Sequence, residues 1–183
     1  MQKLAIVGTG PATRHLAPFD DKAFDIWVFN EAPHAVWCER FDASFQMHSP
    51  NIYFGHNAKD PGYADWLRTA RGKPVYMQDT DPAIPDSVRF PLEDAVKMCG
   101  FDRYLGATIC DAIALGLLKG YQRIEIWGIE MSFSEYQYQA ECFRFWIGFA
   151  RGKLGAENLR ILGLFFRSLG SAAQPGAQEF ILR

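Results

Sequence analysis

Apolar positions fall along this chain in two kinds of pattern, short continuous runs and longer stretches of helical period. The runs Leu4–Val7 and Phe24–Phe29 read as strands buried on both faces. Further strands are expected at Ser44–His48, Lys73–Met77, Val88–Phe90, Arg123–Ile129 and Leu159–Leu164. Between them the period lengthens. Helices are predicted from Pro61 to Arg68, closed by Gly72, from Leu92 to Met98, from Gly106 to Lys119 and from Glu135 to Arg151, with a shorter or irregular crossover over Ala32–Phe41. The Gly106–Lys119 stretch carries only Asp111 and Lys119 as charges, so it is apolar nearly all round and is predicted to be buried against a sheet face. Strands alternating with helices imply βαβ units and a mostly parallel central sheet in an α/β domain. That domain is expected to span 1–167. The small, polar composition of 168–183 around Pro175 reads as a tail.

The first strand runs directly into Gly8-Thr9-Gly10-Pro11. Two glycines two apart permit a sharp turn and a close backbone approach, and Pro11 suits the first turn of a helix beginning there. A buried strand, a glycine turn and a helix N-terminus make an anion site, since orphan N–H groups and the helix dipole both favour negative charge. The third small position of the dinucleotide fingerprint is Thr13 here, followed by Arg14. Ligands of parallel sheets bind beyond the carboxyl ends of the strands at the switch point. That rim would collect Gly8, Thr9, Gly10, Asn30, His48 and Glu130, with Arg14 available to a phosphate.

Composition narrows the classes. Fifteen Phe, five Trp and seven Tyr point to a large core or an aromatic surface that meets a partner. A net charge of −2 with pI near 6.1 argues against non-specific nucleic-acid binding. No apolar run reaches bilayer length and no signal peptide leads the chain, so a cytoplasmic location is expected. Cys38, Cys99, Cys110 and Cys142 lack metal-ligand spacing and read as reduced thiols.

Three segments carry a family resemblance: Ile6-Val-Gly-Thr-Gly-Pro11, Phe24-Asp-Ile-Trp-Val-Phe-Asn30, and Gly106 through Met131 with its Leu-Lys-Gly-Tyr121 and Gly128-Ile-Glu-Met131. On these the chain resembles a Rossmann-like group that includes bacterial sialyltransferases, flagellin-glycosylation accessory proteins and 6-hydroxymethylpterin diphosphokinase-like proteins, and it is most similar to small members found in phage and prophage genomes. The resemblance implies a Rossmann-like three-layer fold and a cytidine-nucleotide site, with Gly8, Gly10, Asn30 and the segment Gly106, Ala107, Thr108 as binding residues. Two departures stand out. The turn Leu105-Gly-Ala-Thr108 has fewer hydroxyls than the sialyltransferase pattern, and no histidine lies beyond His56 to match the late histidine of those enzymes.

The leading expectation is a nucleotide-binding transferase, glycosyl or pyrophosphoryl, acting on a nucleotide sugar or nucleoside triphosphate. His48 and Glu130 are its candidate catalytic residues, with Glu130 also a candidate ligand for Mg²⁺ beside the phosphates. Tyr136 and Gln139 could reach the same cleft, and Asp111 reads as structural, needing a partner if buried. Two alternatives stay open. Glu31, about 20 residues after the glycine turn, suits the ribose acid of an NAD(P)-dependent oxidoreductase. The missing late histidine suits a phage protein that binds a nucleotide without chemistry. Finally, Tyr136, Phe143 and Ile147 form a second apolar stripe on the Glu135–Arg151 helix, which predicts a homodimer.

Overall fold

A computed structural model describes residues 1–54, 60, 62–100, 104–130 and 137–162, with side chains of the last segment from 139. Seven strands form one parallel sheet: β1 (Lys3–Val7), β2 (Phe24–Phe29), β3 (Ala43–Gln46), β4 (Val75–Met77), β5 (Ser87–Arg89), β6 (Arg123–Trp127) and β7 (Leu159–Leu162), in the order β5-β4-β3-β2-β1-β6-β7. Every pairing is parallel, with Ile6 opposite both Trp27 and Ile126. The fold is α/β and Rossmann-like. The chain builds outward from β1 to β5, then crosses back to lay β6 on the free edge of β1. The β1–β6 boundary is therefore the switch point.

Alternation along the strands sends side chains to two cores. Leu4, Ile6, Trp27, Phe45, Ile124 and Ile126 face the helical layer of α3 (Leu92–Cys99), α4 (Thr108–Leu118) and α5 (Gln137–Leu154). In α4 every residue from Ile109 to Gly116 is buried, as its all-round apolar pattern requires. Ala5, Val7, Ile26 and Val28 face the other side, where Phe19, Phe41 and Ala32 close a thinner layer of turns and 3₁₀ segments. The short helices α1 (Pro50–Tyr53) and α2 (Tyr63–Arg68) complete that side over Val75 and Met77. The Arg40 guanidinium locks this layer, donating to the carbonyls of Phe19, Asp21 and Phe24 and pairing with Asp42 at 2.7 Å. Asp42 in turn accepts the Ile26 N–H at 2.7 Å.

Several expectations change. No α-helix begins at Pro11; residues 11–13 are turns and a single 3₁₀ turn, Arg14–Leu16, follows. The reason lies in Thr13. Its hydroxyl accepts the Gly128 N–H at 2.9 Å and donates to the Leu162 carbonyl at 3.0 Å, tying the segment to the ends of β6 and β7. Thr13→Val is expected to lower unfolding free energy by about 1–2 kcal/mol, read by urea denaturation, because the Gly128 N–H loses its acceptor. A short helix, α1, starts on Pro50, in a stretch where no element is predicted. On α5, Phe143 and Ile147 are buried within the chain's own core beside Trp146, so that stripe is not a surface awaiting a second copy. Tyr136 of the same stripe and the tail 168–183 lie outside the described residues. The four cysteines are free thiols; Cys110 and Cys142 are buried, Cys38 and Cys99 half-buried. Burial pushes the Cys38 thiol up to about 11.

Candidate functional site

The residues expected on one rim fall into two places. The first is the switch point. The N–H of Gly8 donates to the Trp127 carbonyl and that of Gly10 to the Gly128 carbonyl, both at 2.8 Å. Two donors of the expected phosphate cradle are thus already bonded within the protein. The glycines are needed because the β6 end lies against them: a Cβ on Gly8 would stand 2.4 Å from the Gly128 oxygen, and one on Gly10 2.7 Å from the same atom. Glu130 faces this turn, its carboxylate accepting the Ala12 N–H at 3.3 Å. The Arg14 guanidinium donates to the Thr9 carbonyl at 2.6 Å and lies 4.7 Å over the Trp37 ring. Among the described residues no group of three or more His, Cys, Asp or Glu is placed to hold a metal ion.

The second place is a cavity of about 510 Å³. It opens beyond the carboxyl ends of β3, β4 and β5. Met47 and His48 follow β3, Gln78 and Asp79 follow β4, Arg89 ends β5, and the segment Leu105–Thr108 with Asp111 closes the wall at the start of α4. Gln139 reaches it from α5. His48 and Gly106, Ala107 and Thr108 therefore share one cavity, whereas Gly8, Gly10, Arg14 and Glu130 are elsewhere. Gln78 and Asp79, just past β4, and Arg89, at the end of β5, carry no motif that marks them in the sequence.

Each wall group has a definite state. The Gln78 carboxamide donates to the Met47 carbonyl at 2.7 Å and so joins the ends of β3 and β4. Arg89 pairs with Glu93 at 2.8 Å and with Asp79 at 3.5 Å. The N-cap position of α4 is Ala107, with no side-chain cap, and Ala107 and Thr108 line the cavity where the helix begins. Asp111, in the first turn, is only 4% exposed. No hydrogen-bond or ion-pair partner of its carboxyl exists among the described residues, and burial alone pushes it up to about 8. It is the solitary acid noticed in the apolar helix, and its place in a cavity wall is what the pattern could not reveal.

Asn30 lies between the two places. It takes a left-handed conformation with φ of 51°, tolerable for asparagine, and its N–H donates to the Phe45 carbonyl. Its side-chain oxygen is buried without a partner among the described residues. Glu31 heads the 3₁₀ turn Ala32–His34, its carbonyl accepting the His34 N–H.

No protein-family model matches the chain, and no curated protein does. Solved structures do. The sialyltransferase CstII of Campylobacter jejuni, in complex with cytidine-5′-monophosphate, superposes with a TM-score of 0.52 at 16% identity, covering 88% of this chain and 79% of that one. The chain has the fold of these sialyltransferases. The same enzyme with CMP-3FNeuAc matches with a TM-score of 0.52 at 14% identity over the same shares. An α-2,3-sialyltransferase of Campylobacter jejuni without ligand matches with a TM-score of 0.51 at 14% identity, over 85% of this chain and 73% of that one. At such identity the likeness establishes the fold. Among the described residues no helix is long and apolar enough to cross a membrane.

Proposed function

We propose that the protein is a nucleotide-sugar-dependent glycosyltransferase of the small form found in phage and prophage genomes. The observation that carries this reading is the coincidence of the fold, shared over most of the chain with an enzyme that binds cytidine-5′-monophosphate, with a roomy cavity at the carboxyl rim of the sheet. The α4 N-terminus would hold an anionic group of the donor through its uncapped N–H groups. Asn30 offers a buried carboxamide oxygen to a base or ribose donor. His48, exposed on the cavity, is the residue proposed to take the acceptor's proton. Any Mg²⁺ would enter with the donor phosphates rather than through a resident cluster, and Glu130 would meet it only from the neighbouring turn.

Thermal-shift titration with CMP, UDP, GDP and ATP, with and without Mg²⁺, tests the reading. A ligand near 100 times its Kd is expected to raise Tm by about 5 °C or more in a chain of this size. No shift with any of the four at millimolar concentration overturns it. One observation favours a second reading, binding without turnover: the sequence has no histidine beyond His56. Turnover of a nucleotide donor that falls about 100-fold or more in His48→Ala would exclude that reading.

A further inference from the structure

We propose that Asp111, as the neutral carboxylic acid, donates a hydrogen bond to the anionic group that the first N–H groups of α4 hold, and thereby sets the pH range in which that group is accepted. The inference rests on the reading of the cavity as a nucleotide-sugar site and adds to it the residue that discriminates charge.

Three observations place Asp111 there. It belongs to the cavity wall together with Gly106, Ala107 and Thr108, one turn into the helix whose N-terminus they form. It is 4% exposed, and burial is the one influence on its carboxyl, with no hydrogen bond or charge of the protein acting on it. The helix around it is apolar, with Ile109, Cys110 and Ala112 all buried. A polar group in a cavity wall with no partner from the protein is free to take one from a ligand.

Charge decides the form in which it acts. An uncapped helix N-terminus favours an anion. An ionised Asp111 would itself be that anion and would repel a phosphate or carboxylate arriving beside it. A neutral Asp111 presents an O–H to the same oxygen. Burial favours the neutral form, and no charged neighbour contributes to that preference. The other ionisable groups on this cavity are His48 beyond β3, Asp79 beyond β4 and Arg89 of β5, and Arg89 is already paired with Asp79 and with Glu93 of α3. Within the helical layer Cys110 adjoins it on α4, and burial holds the Cys110 thiol well above its ordinary value. None supplies a positive charge that would ionise Asp111.

The anionic oxygen could belong to a nucleotide phosphate or to a sugar-acid carboxylate, and calorimetric titration of the full chain distinguishes them. Cytidine-5′-monophosphate supplies the phosphate, N-acetylneuraminic acid the carboxylate, and cytidine neither. Between about pH 7 and about pH 9.5 a phosphate monoester stays dianionic, its second pKa being near 6, so its own titration does not intrude. The anionic probe that uses the site is expected to weaken about 30-fold over that range, as Asp111 ionises with a midpoint about 8, whereas cytidine shows no such trend. Asp111→Asn keeps an N–H donor and cannot ionise. It should retain the affinity at pH 7 within about threefold and lose the pH dependence. A constant affinity in the wild type, or the same 30-fold fall in Asp111→Asn, overturns the role of Asp111 while leaving the nucleotide-sugar reading standing. Failure of every probe to bind the wild type at any pH removes both.

Discussion

Asp111→Asn is expected to make the protein more stable at neutral pH, by on the order of 4 kcal/mol at pH 7. The unfolded carboxyl titrates near 3.8 and burial raises it to about 8 in the fold. The folded state therefore binds this proton more tightly than the unfolded state. The linked stability is fully present below pH 3.8, is lost progressively as pH rises toward 8, and is constant above that. Asparagine has the same shape and no such term. Urea unfolding at about pH 4, 7 and 9 checks it: the two proteins should be close at pH 4 and diverge upward. Curves that stay parallel across the range would show that Asp111 is ionised at little cost, through water or through a partner.

Most of the fold was legible because its signals are local. The runs Leu4–Val7 and Phe24–Phe29 are buried on both faces, and such strands announce themselves without a partner in view. The α4 stretch was equally plain, since a helix apolar on every side has to lie between layers. Boundaries shifted where the flanking residues serve long-range contacts. His48, expected as the end of β3, lies two residues past Gln46, where the chain has left the sheet for the cavity. The predicted helix at Pro11 failed for the same kind of reason: Thr13, which local rules place in a helical turn, finds its partners 115 and 149 residues away in Gly128 and Leu162.

The site was legible only in part. The family resemblance directed attention to Gly106–Thr108, and these residues line the cavity where α4 begins. The cavity itself is made by β3, β4 and β5 ending side by side, and strands of three or four residues carry too little pattern to reveal that Gln78, Asp79 and Arg89 converge. On α5 two apolar stripes suggested a second subunit. A single sheet face with β7 and α4 beside it covers Phe143, Trp146 and Ile147 together, while Phe145 stacks on Tyr104 at 4.6 Å between ring centroids along the margin. The Trp146 indole also donates to the Tyr104 carbonyl at 2.7 Å, binding α5 to the segment that leads into α4. Helical wheels count stripes; they do not count the neighbours available to cover them.

The glycine turn provides the second large effect. Gly8→Ala is expected to destabilise the protein by about 3 kcal/mol or more, lowering Tm by roughly 6–12 °C, and to do so with no ligand present. The added methyl would stand 2.4 Å from the Gly128 oxygen and 2.5 Å from the Ile129 Cδ1. The second contact could be relieved by a rotamer change, but the first is backbone. Gly128 cannot withdraw freely, because its φ is +60°, its own Cβ position is 2.7 Å from the Gly8 oxygen, and its N–H is held by Thr13. Relief would break the Gly8 to Trp127 hydrogen bond that continues the β1–β6 ladder past Val7. Gly148→Ala on α5 is the matched control: nothing lies within 4 Å of its Cβ position, so the same methyl should gain about 0.5–1 kcal/mol from helix propensity. Thermal unfolding of the two variants beside the wild type separates the meanings of the motif. Opposite shifts, down for Gly8→Ala and up for Gly148→Ala, assign the glycine to the meeting of β1 with β6. Wild-type Tm in Gly8→Ala, with nucleotide affinity alone reduced, would assign it to ligand approach, as the fingerprint reading expects.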